Sequence, residues 1–434
     1  MKTNTNTQLL VYTDVQNLRV TYAFKHICTT ILGLEIAFTS VIEEFIAFQG
    51  MKLSYGKKRL GKQLFIQQGG LLWEHGINPI DVFVFPWEET KCFYKTSEDS
   101  DLPFDIFSAS FYLLSRYEEY TPHVKDSVGR FPVEESLAYK HKFLRQPVID
   151  IWANKFKKIL QQKYPNKKFP EPQLKNINIL TVHEAYKYKK KGIVRNVGAG
   201  FRDIVKLQFY QVLERLQVIS FIKDDPYDIY KEFVQFSKKE KIAWNYMFQL
   251  SDYSIYNKNI SYHKINYRTL IKSLGDYGVL GLLPGYEALG DITVLKKEKQ
   301  RWEHIVNRPL QRLLIINYGL NLPNYYNNCE KLELTQDYSM FYPEHIGFRA
   351  GTSFPFFFYD ISMESISPLR IFPMLFSSMS FENLTFFEVK KTLMNIKEQM
   401  KKNGGNFGLV FANKDFEHAE NRQKYLSLIH ALNQ

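Results

Sequence analysis

Residues 337–360 read DYSMFYPEHIGFRAGTSFPFFFYD, and where this stretch sits decides how the rest of the chain is read. A strand-like run leads to a tight Gly347. Arg349 follows, between Phe348 and the small pair Ala350 and Gly351. An aromatic block then runs from Phe354 to Tyr359. A cation held by backbone rather than by bulky neighbours usually ends a strand at a cleft, where it pairs with an anion. The competing reading, commoner for an arginine taken alone, is a side chain that bridges two loops.

Around this stretch the downstream half alternates. Strand-like runs fall at 177–182, 242–250, 278–283, 313–316, 348–350, 369–376 and 407–411. Helical spacing lies between most of them, at 203–218, 226–240, 264–277, 292–306, 323–331, 385–403 and 416–432. Strand–helix alternation implies parallel strands with helices outside. About seven such units favour a barrel over an open sheet. No nucleotide-binding glycine fingerprint follows the first strand, since Gly192, Gly198 and Gly200 come too late. Barrel chemistry sits at the C-terminal ends of strands. The positions of interest are therefore 181–186, 283–287, 317–318, 349–353, 376–380 and 412–415.

The upstream half reads differently. Short strands are expected at 8–12, 34–38 and 81–86, with more between the turns of 52–72. Helices are expected at 18–32, 102–120 and 147–162. The charged segment 164–175, YPNKKFPEPQLK, holds three prolines and reads as a linker. It sets the expected architecture: an α/β chain with an N-terminal α+β domain at 1–172 and a distorted (β/α)7 barrel at 173–434.

Composition narrows the partners. The 434 residues carry 57 Lys and Arg against 45 Asp and Glu, a net charge of +12. Knots of lysine lie at 187–191, 238–241 and 296–301. A basic surface favours anionic partners such as an acidic glycan, although a solvated face accounts for most lysine-rich helices. No nucleic-acid motif is present. Cys28, Cys92 and Cys329 are sparse, odd in number and without metal spacing, which suits a reducing compartment. The opening residues, 1–15, lack the apolar run of a signal peptide, and no window approaches a membrane span. The expectation is a cytoplasmic protein.

Several blocks resemble one family: 102–120, 129–152, EAYKYKKKGIVRNVG (184–198), DPYDIY (225–230), GLLPGYEALGD (281–291), 336–360 and LVFANKDF (409–416). Together they look like a polysaccharide deacetylase of the Bacteroidetes type, preceded by a domain of unknown role. The resemblance covers essentially the whole chain. It implies a barrel of about seven strands and metal-assisted removal of an N-acetyl group from a sugar. In the family one Asp is the base, and a second Asp with two His holds a divalent metal, commonly zinc. The metal polarises the acetyl carbonyl and acidifies a water, and a further His protonates the leaving amine.

This sequence departs from the family at almost every such position. The Asp-x-Asp motif falls on Thr181 to His183, and the nearby Glu184 is one residue out of register, so it would face the other way on a continuing strand. The His-Pro-x-Tyr motif begins with Leu283 and reaches Tyr286, and the second metal His falls at Glu287. The Arg-Gln-His run meets Leu314, Ile315 and Ile316. Trp-His-Asn reads Phe411, Ala412, Asn413, and Ser377 or Ser378 replaces a further Asp. His183 with Glu287 would supply two ligands, below the three of a catalytic zinc site. Arg349 loses its family partner, leaving Glu184 or an anionic ligand to pair with.

The candidate cleft is therefore Thr181, His183, Glu184, Tyr186, Leu283, Tyr286, Glu287, Arg349, Thr352 and Asn413. No catalytic set is intact and no cofactor is expected. The reading is a non-catalytic glycan-binding or scaffolding protein of surface or exopolysaccharide metabolism. The alternatives are an active N-deacetylase rebuilt on His183, Glu184 and Glu287, and a protein–protein module in polysaccharide synthesis.

Overall fold

Four parallel strands open the chain: β1 (Gln8–Tyr12), β2 (Glu35–Thr39), β3 (Met51–Gly56) and β4 (Leu64–Gln67), in the order β2-β1-β3-β4. The computed structural model describes residues 8–127, 129–316 and 320–434. Expected strand-end positions 317–318 lie outside the described residues, as do residues 1–7. The expected α+β character of this half is corrected by the sheet, which is wholly parallel. The helix Leu18–Phe24 carries the chain back from β1 to β2, and Ile42–Ala47 does so from β2 to β3. Leu9, Val11, Leu53 and Tyr55 are fully buried on this sheet. The antiparallel hairpin β5 (Phe85–Trp87) and β6 (Thr90–Cys92) follows. The strand expected at 81–86 is mostly irregular, because 81–84 find no ladder partner and Phe83 points to solvent.

A nine-stranded sheet fills the downstream half. It comprises β7 (Leu174–Val182), β8 (Trp244–Phe248), β9 (Val279–Leu282), β10 (Arg312–Leu313), β11 (Gln336–Asp337), β12 (Phe356–Asp360), β13 (Ser365–Ile371), β14 (Phe376–Ser377) and β15 (Gly405–Ala412). The order is β12-β13-β11-β10-β9-β8-β7-β15-β14, with only β12 antiparallel to its neighbour. Helices link most successive strands, and their caps are legible in the sequence. Asp291 accepts from the Thr293 N–H at the start of Ile292–Val306, and Thr385 with Glu388 forms a capping box for Phe386–Asn403. The expected helix at 203–218 is two, Ile193–Val205 and Phe209–Ile219, broken where Leu207 takes φ +56°.

Side chains alternate along these strands with period two. Ile179, Met247, Leu283, Leu314 and Val410 form one cluster, while Leu180, Val182, Phe248 and Leu409 belong to the large core. A single run of chain carries β13 and β14 to distant places in the sheet. β13 lies beside β11 and β14 beside β15. Between them Met374 N–H donates to Met340 O at 3.3 Å and Leu375 N–H to Gly408 O at 3.0 Å.

Residues 337–360 form the seam between the two halves. The expected strand at 348–350 is irregular, ending in a turn. Gly347 is required by close approach, since a Cβ there would meet Leu144 O at 2.6 Å. Gly351 adopts φ +67° beside Leu113. Arg349 donates from Nε and Nη2 to the two Glu119 carboxylate oxygens at 2.9 and 2.7 Å. Arg116 Nε donates to the same Glu119 at 2.7 Å, and its Nη2 pairs with Glu118 at 2.7 Å. Asp150 accepts from Thr352 Oγ1 and from the N–H and Oγ of Ser353, and His26 Nε2 lies 3.3 Å from Thr352 Oγ1. Arg19 bridges to Glu364 at the same seam. One continuous apolar core runs through both halves.

Candidate functional site

Period-two alternation sets His183 on the same side of its strand as Ile179 and Thr181, just past the C-terminal end of β7. There it helps line a cavity of about 280 Å³ with Glu184, Tyr227, Gln249, Tyr256, Lys258, Asn413 and Lys414. Three strands converge on it at their C-terminal ends: β7, β8 through Gln249, and β15 through Asn413. Of the ten residues read from the sequence, His183, Glu184 and Asn413 meet here.

The hydrogen bonds fix each wall. Asn413 is buried, and its Nδ2 donates to Glu184 O at 2.9 Å and to the Tyr230 hydroxyl at 3.2 Å. Gln249 Nε2 donates to Asn257 Oδ1 at 2.8 Å, and the same Oδ1 accepts from the Tyr286 N–H at 3.2 Å. Asn257 Nδ2 donates to the Glu287 carboxylate. Glu287 is thus one hydrogen-bonded side chain removed from the cavity wall rather than part of it. Tyr286 is partly exposed and lies against Tyr256, ring centroids 4.2 Å apart.

Charge within the cavity is subdued. Burial, with the Lys414 ammonium nearby, lowers the His183 pKa to about 3, so the imidazole is neutral, although some of its surface still opens to the cavity. Lys191 Nζ lies 2.5 Å from the Glu184 carboxylate. Beneath the 284–287 turn, Glu298 accepts from the Gly285 N–H at 3.1 Å, and burial pushes its carboxyl up to about 7.

The other candidates lie elsewhere. Thr181 is fully buried and donates to Phe411 O at 3.3 Å. Tyr186 packs in the core near Tyr230. Leu283 is buried with Met247 and Leu314. Arg349 and Thr352 are corrected from cleft to seam: neither lines the cavity, and the partner of Arg349 is Glu119 rather than Glu184 or a ligand. Tyr227, Gln249, Tyr256 and Lys258 escaped the sequence reading, while Lys414 fell within the inspected strand end 412–415 without being singled out. Gln249 had a usable signal, because it lies at the end of the strand-like run 242–250, and that strand end was not among the positions of interest.

Larger cavities lie apart from these strand ends, two of them notable for their place in the fold. One of about 540 Å³ is lined by Lys272, Trp302 and Arg312 and sits where β9 and β10 begin. One of about 790 Å³ lies at the junction of the halves, between Tyr22, His26, Ile36 and Phe356. Among the described residues no three His, Cys, Asp or Glu side chains are grouped to hold a metal ion, and no helix is long and apolar enough to cross a membrane.

Residues 9–165 match a family of unknown function (DUF7033). No curated protein matches the chain. Among solved structures, the crystal structure of a candidate polysaccharide deacetylase from Mycobacterium smegmatis aligns with 61% of this chain and 85% of its own, at 9% identity and a TM-score of 0.39.

Proposed function

We propose that this chain is a deacetylase-type barrel whose cleft holds a glycan without hydrolysing it, as a binding or scaffolding component of surface-polysaccharide metabolism in the cytoplasm. On this reading the chain divides near residue 172. The run 365–377, bonded to Met340 on one side and Gly408 on the other, would close seven parallel strands into a distorted barrel. The blocks quoted from the sequence supply the family, and the cavity at the ends of β7, β8 and β15 supplies the site.

The observation that carries the proposal is the chemistry of that cavity. Hydrogen-bonding groups from Gln249, Asn413 and Lys258 stand beside aromatic Tyr227 and Tyr256, the mixture that stacks and hydrogen-bonds a sugar ring. The same walls make a poor metal centre. His183 is the one imidazole in the lining, Glu184 is held by Lys191, Glu287 by Asn257, and the positions of the family's other ligands are occupied by buried Thr181 and Leu283. A hydrolytic zinc needs three protein ligands and an open position, so no metal-dependent step is assigned.

The test is calorimetric titration of the full chain with oligomers of N-acetylglucosamine and of glucosamine, with released acetate measured in parallel with and without added zinc. The expected result is saturable binding, weakened by Tyr256→Ala or Asn413→Ala, and no acetate. Zinc-dependent acetate release would overturn the non-catalytic reading in favour of a rebuilt centre. Absence of binding to either oligomer would overturn the glycan.

A further inference from the structure

The helical hairpin between β7 and β8 is built inside out. Its first helix, Ile193–Val205, carries Val197, Phe201, Ile204 and Val205 at the i, i+4, i+7, i+8 spacing of an apolar stripe. Such a stripe normally faces a core. Here all four are exposed, Val197 at 66% and Phe201 at 69%. The second helix, Phe209–Ile219, repeats the arrangement, with Phe209, Leu213 and Leu216 each more than half exposed.

Beside Val218, charged residues are turned inward. Asp203 is buried and pairs with Arg215 of the second helix at 2.6 Å, and Arg215 also donates to Asn196 Oδ1 at 3.1 Å. Glu214 is buried as well, accepting from Lys187 at 2.9 Å, Lys223 at 2.7 Å and the Tyr188 hydroxyl at 3.0 Å. Charged groups therefore hold the hairpin together, and its apolar side faces outward. Water offers that side no stabilisation, whereas an apolar medium would.

Charge selects the occupant. Lys190, Arg202 and Lys206 flank the apolar stripes, Lys223 being held by Glu214, and Asp224 and Asp228 are exposed acids near Lys189 and Lys190. Two copies of the chain packed through this face would bring like-charged rims together. A bilayer surface carrying anionic headgroups would receive the apolar stripes and pair with the rim.

We propose that residues 193–222 form an interfacial anchor that seats this protein on an anionic lipid surface, with the hairpin lying in the headgroup layer and not crossing it. The start of the hairpin is tied to the cavity described above. Arg195 donates to the carbonyls of Asn259 and Lys258, and Lys258 lines the cavity. Docking through the hairpin therefore holds the cavity mouth beside the membrane surface. The inference is independent of whether that cavity binds a glycan.

Flotation of the full chain with vesicles of phosphatidylcholine, alone or mixed with phosphatidylglycerol, tests this. The chain is expected to float with the anionic vesicles, to stay behind with the neutral ones, and to be released by high salt. The double variant Phe201→Ser, Leu213→Ser should weaken binding by roughly tenfold or more. Because both side chains are exposed, its thermal unfolding should match that of the parent. Lys190→Glu with Lys206→Glu should abolish the preference for anionic lipid. A parent chain that stays behind with both vesicle types would overturn the proposal. So would a dimer in sedimentation that the Phe201, Leu213 variant dissociates, since the stripes would then belong to a second copy.

Discussion

Removing the Glu119 carboxylate should be among the most damaging single changes in this chain. Glu119 accepts two bonds from Arg349 and one from Arg116, and all three side chains are at most 5% exposed. Breaking a buried ion pair by deleting one partner costs about 3–5 kcal/mol, because the remaining charge keeps its desolvation penalty without its partner. Arg116 would keep Glu118 and the Tyr342 hydroxyl, while Arg349 would keep a long contact with Phe341 O and the face of the Tyr342 ring, neither of them a carboxylate. The cost of Glu119→Leu therefore falls mainly on Arg349. Against a typical total of about 5–15 kcal/mol, the variant should unfold at much lower urea. The pair Glu119→Leu with Arg349→Met removes both charges and should cost less than the sum of the single changes, by at least about 2 kcal/mol of coupling. Equilibrium urea unfolding of the four proteins, followed by tryptophan fluorescence, gives the cycle. Single changes within about 1 kcal/mol of the parent, or strictly additive ones, would refute the view that this pair locks the halves together.

Four further outcomes follow from the same seam and from the cavity. Burial pushes the Asp150 carboxyl from 3.8 to about 6 despite its bonds from Ser353 and Thr352. Its contribution is fully present below 3.8 and declines as pH rises through about 6, so Asp150→Asn should flatten the slope of stability against pH in that window. Burial alone would raise the Glu119 carboxyl, but Arg349 and Arg116 outweigh it and hold it below 4.5, so its contribution is fully present above 4.5 and is lost as pH falls through that lowered value. Acid titration of Glu119→Gln should lack that loss. Gly351→Ala forces a side chain into φ +67° with Leu113 Cδ1 at 2.7 Å, and should cost about 1–3 kcal/mol by thermal unfolding. Tyr286→Ala removes an exposed ring that backs Tyr256, and should weaken glycan binding while leaving the unfolding temperature within a few degrees of the parent.

Much of the secondary structure could be read from local pattern. The helix at 292–306 has the bounds the spacing indicates, and β1 has those expected for 8–12. Both elements announce themselves by periodicity that a few neighbouring residues carry. The two-residue strands β10 and β11 are too short for any period, so β11 went unseen. The break at Leu207 was also hidden, since the apolar spacing runs through it. His183, Glu184 and Asn413 converge because parallel strands bring their C-terminal ends together, and strand order does that without any help from side-chain pairing.

By itself the sequence determined the alternation of strand and helix and the tight glycines of 347–351. Tertiary structure alone decided what those residues touch. Arg349 and Glu119 stand 230 positions apart, and nothing local in either neighbourhood names the other. A guanidinium must be paired when buried, but which carboxylate pairs with it depends on how two halves dock. The outward-facing stripe of residues 197–216 teaches the same lesson in reverse. Its spacing is that of any core-facing helix, and only the folded chain shows that no core lies against it.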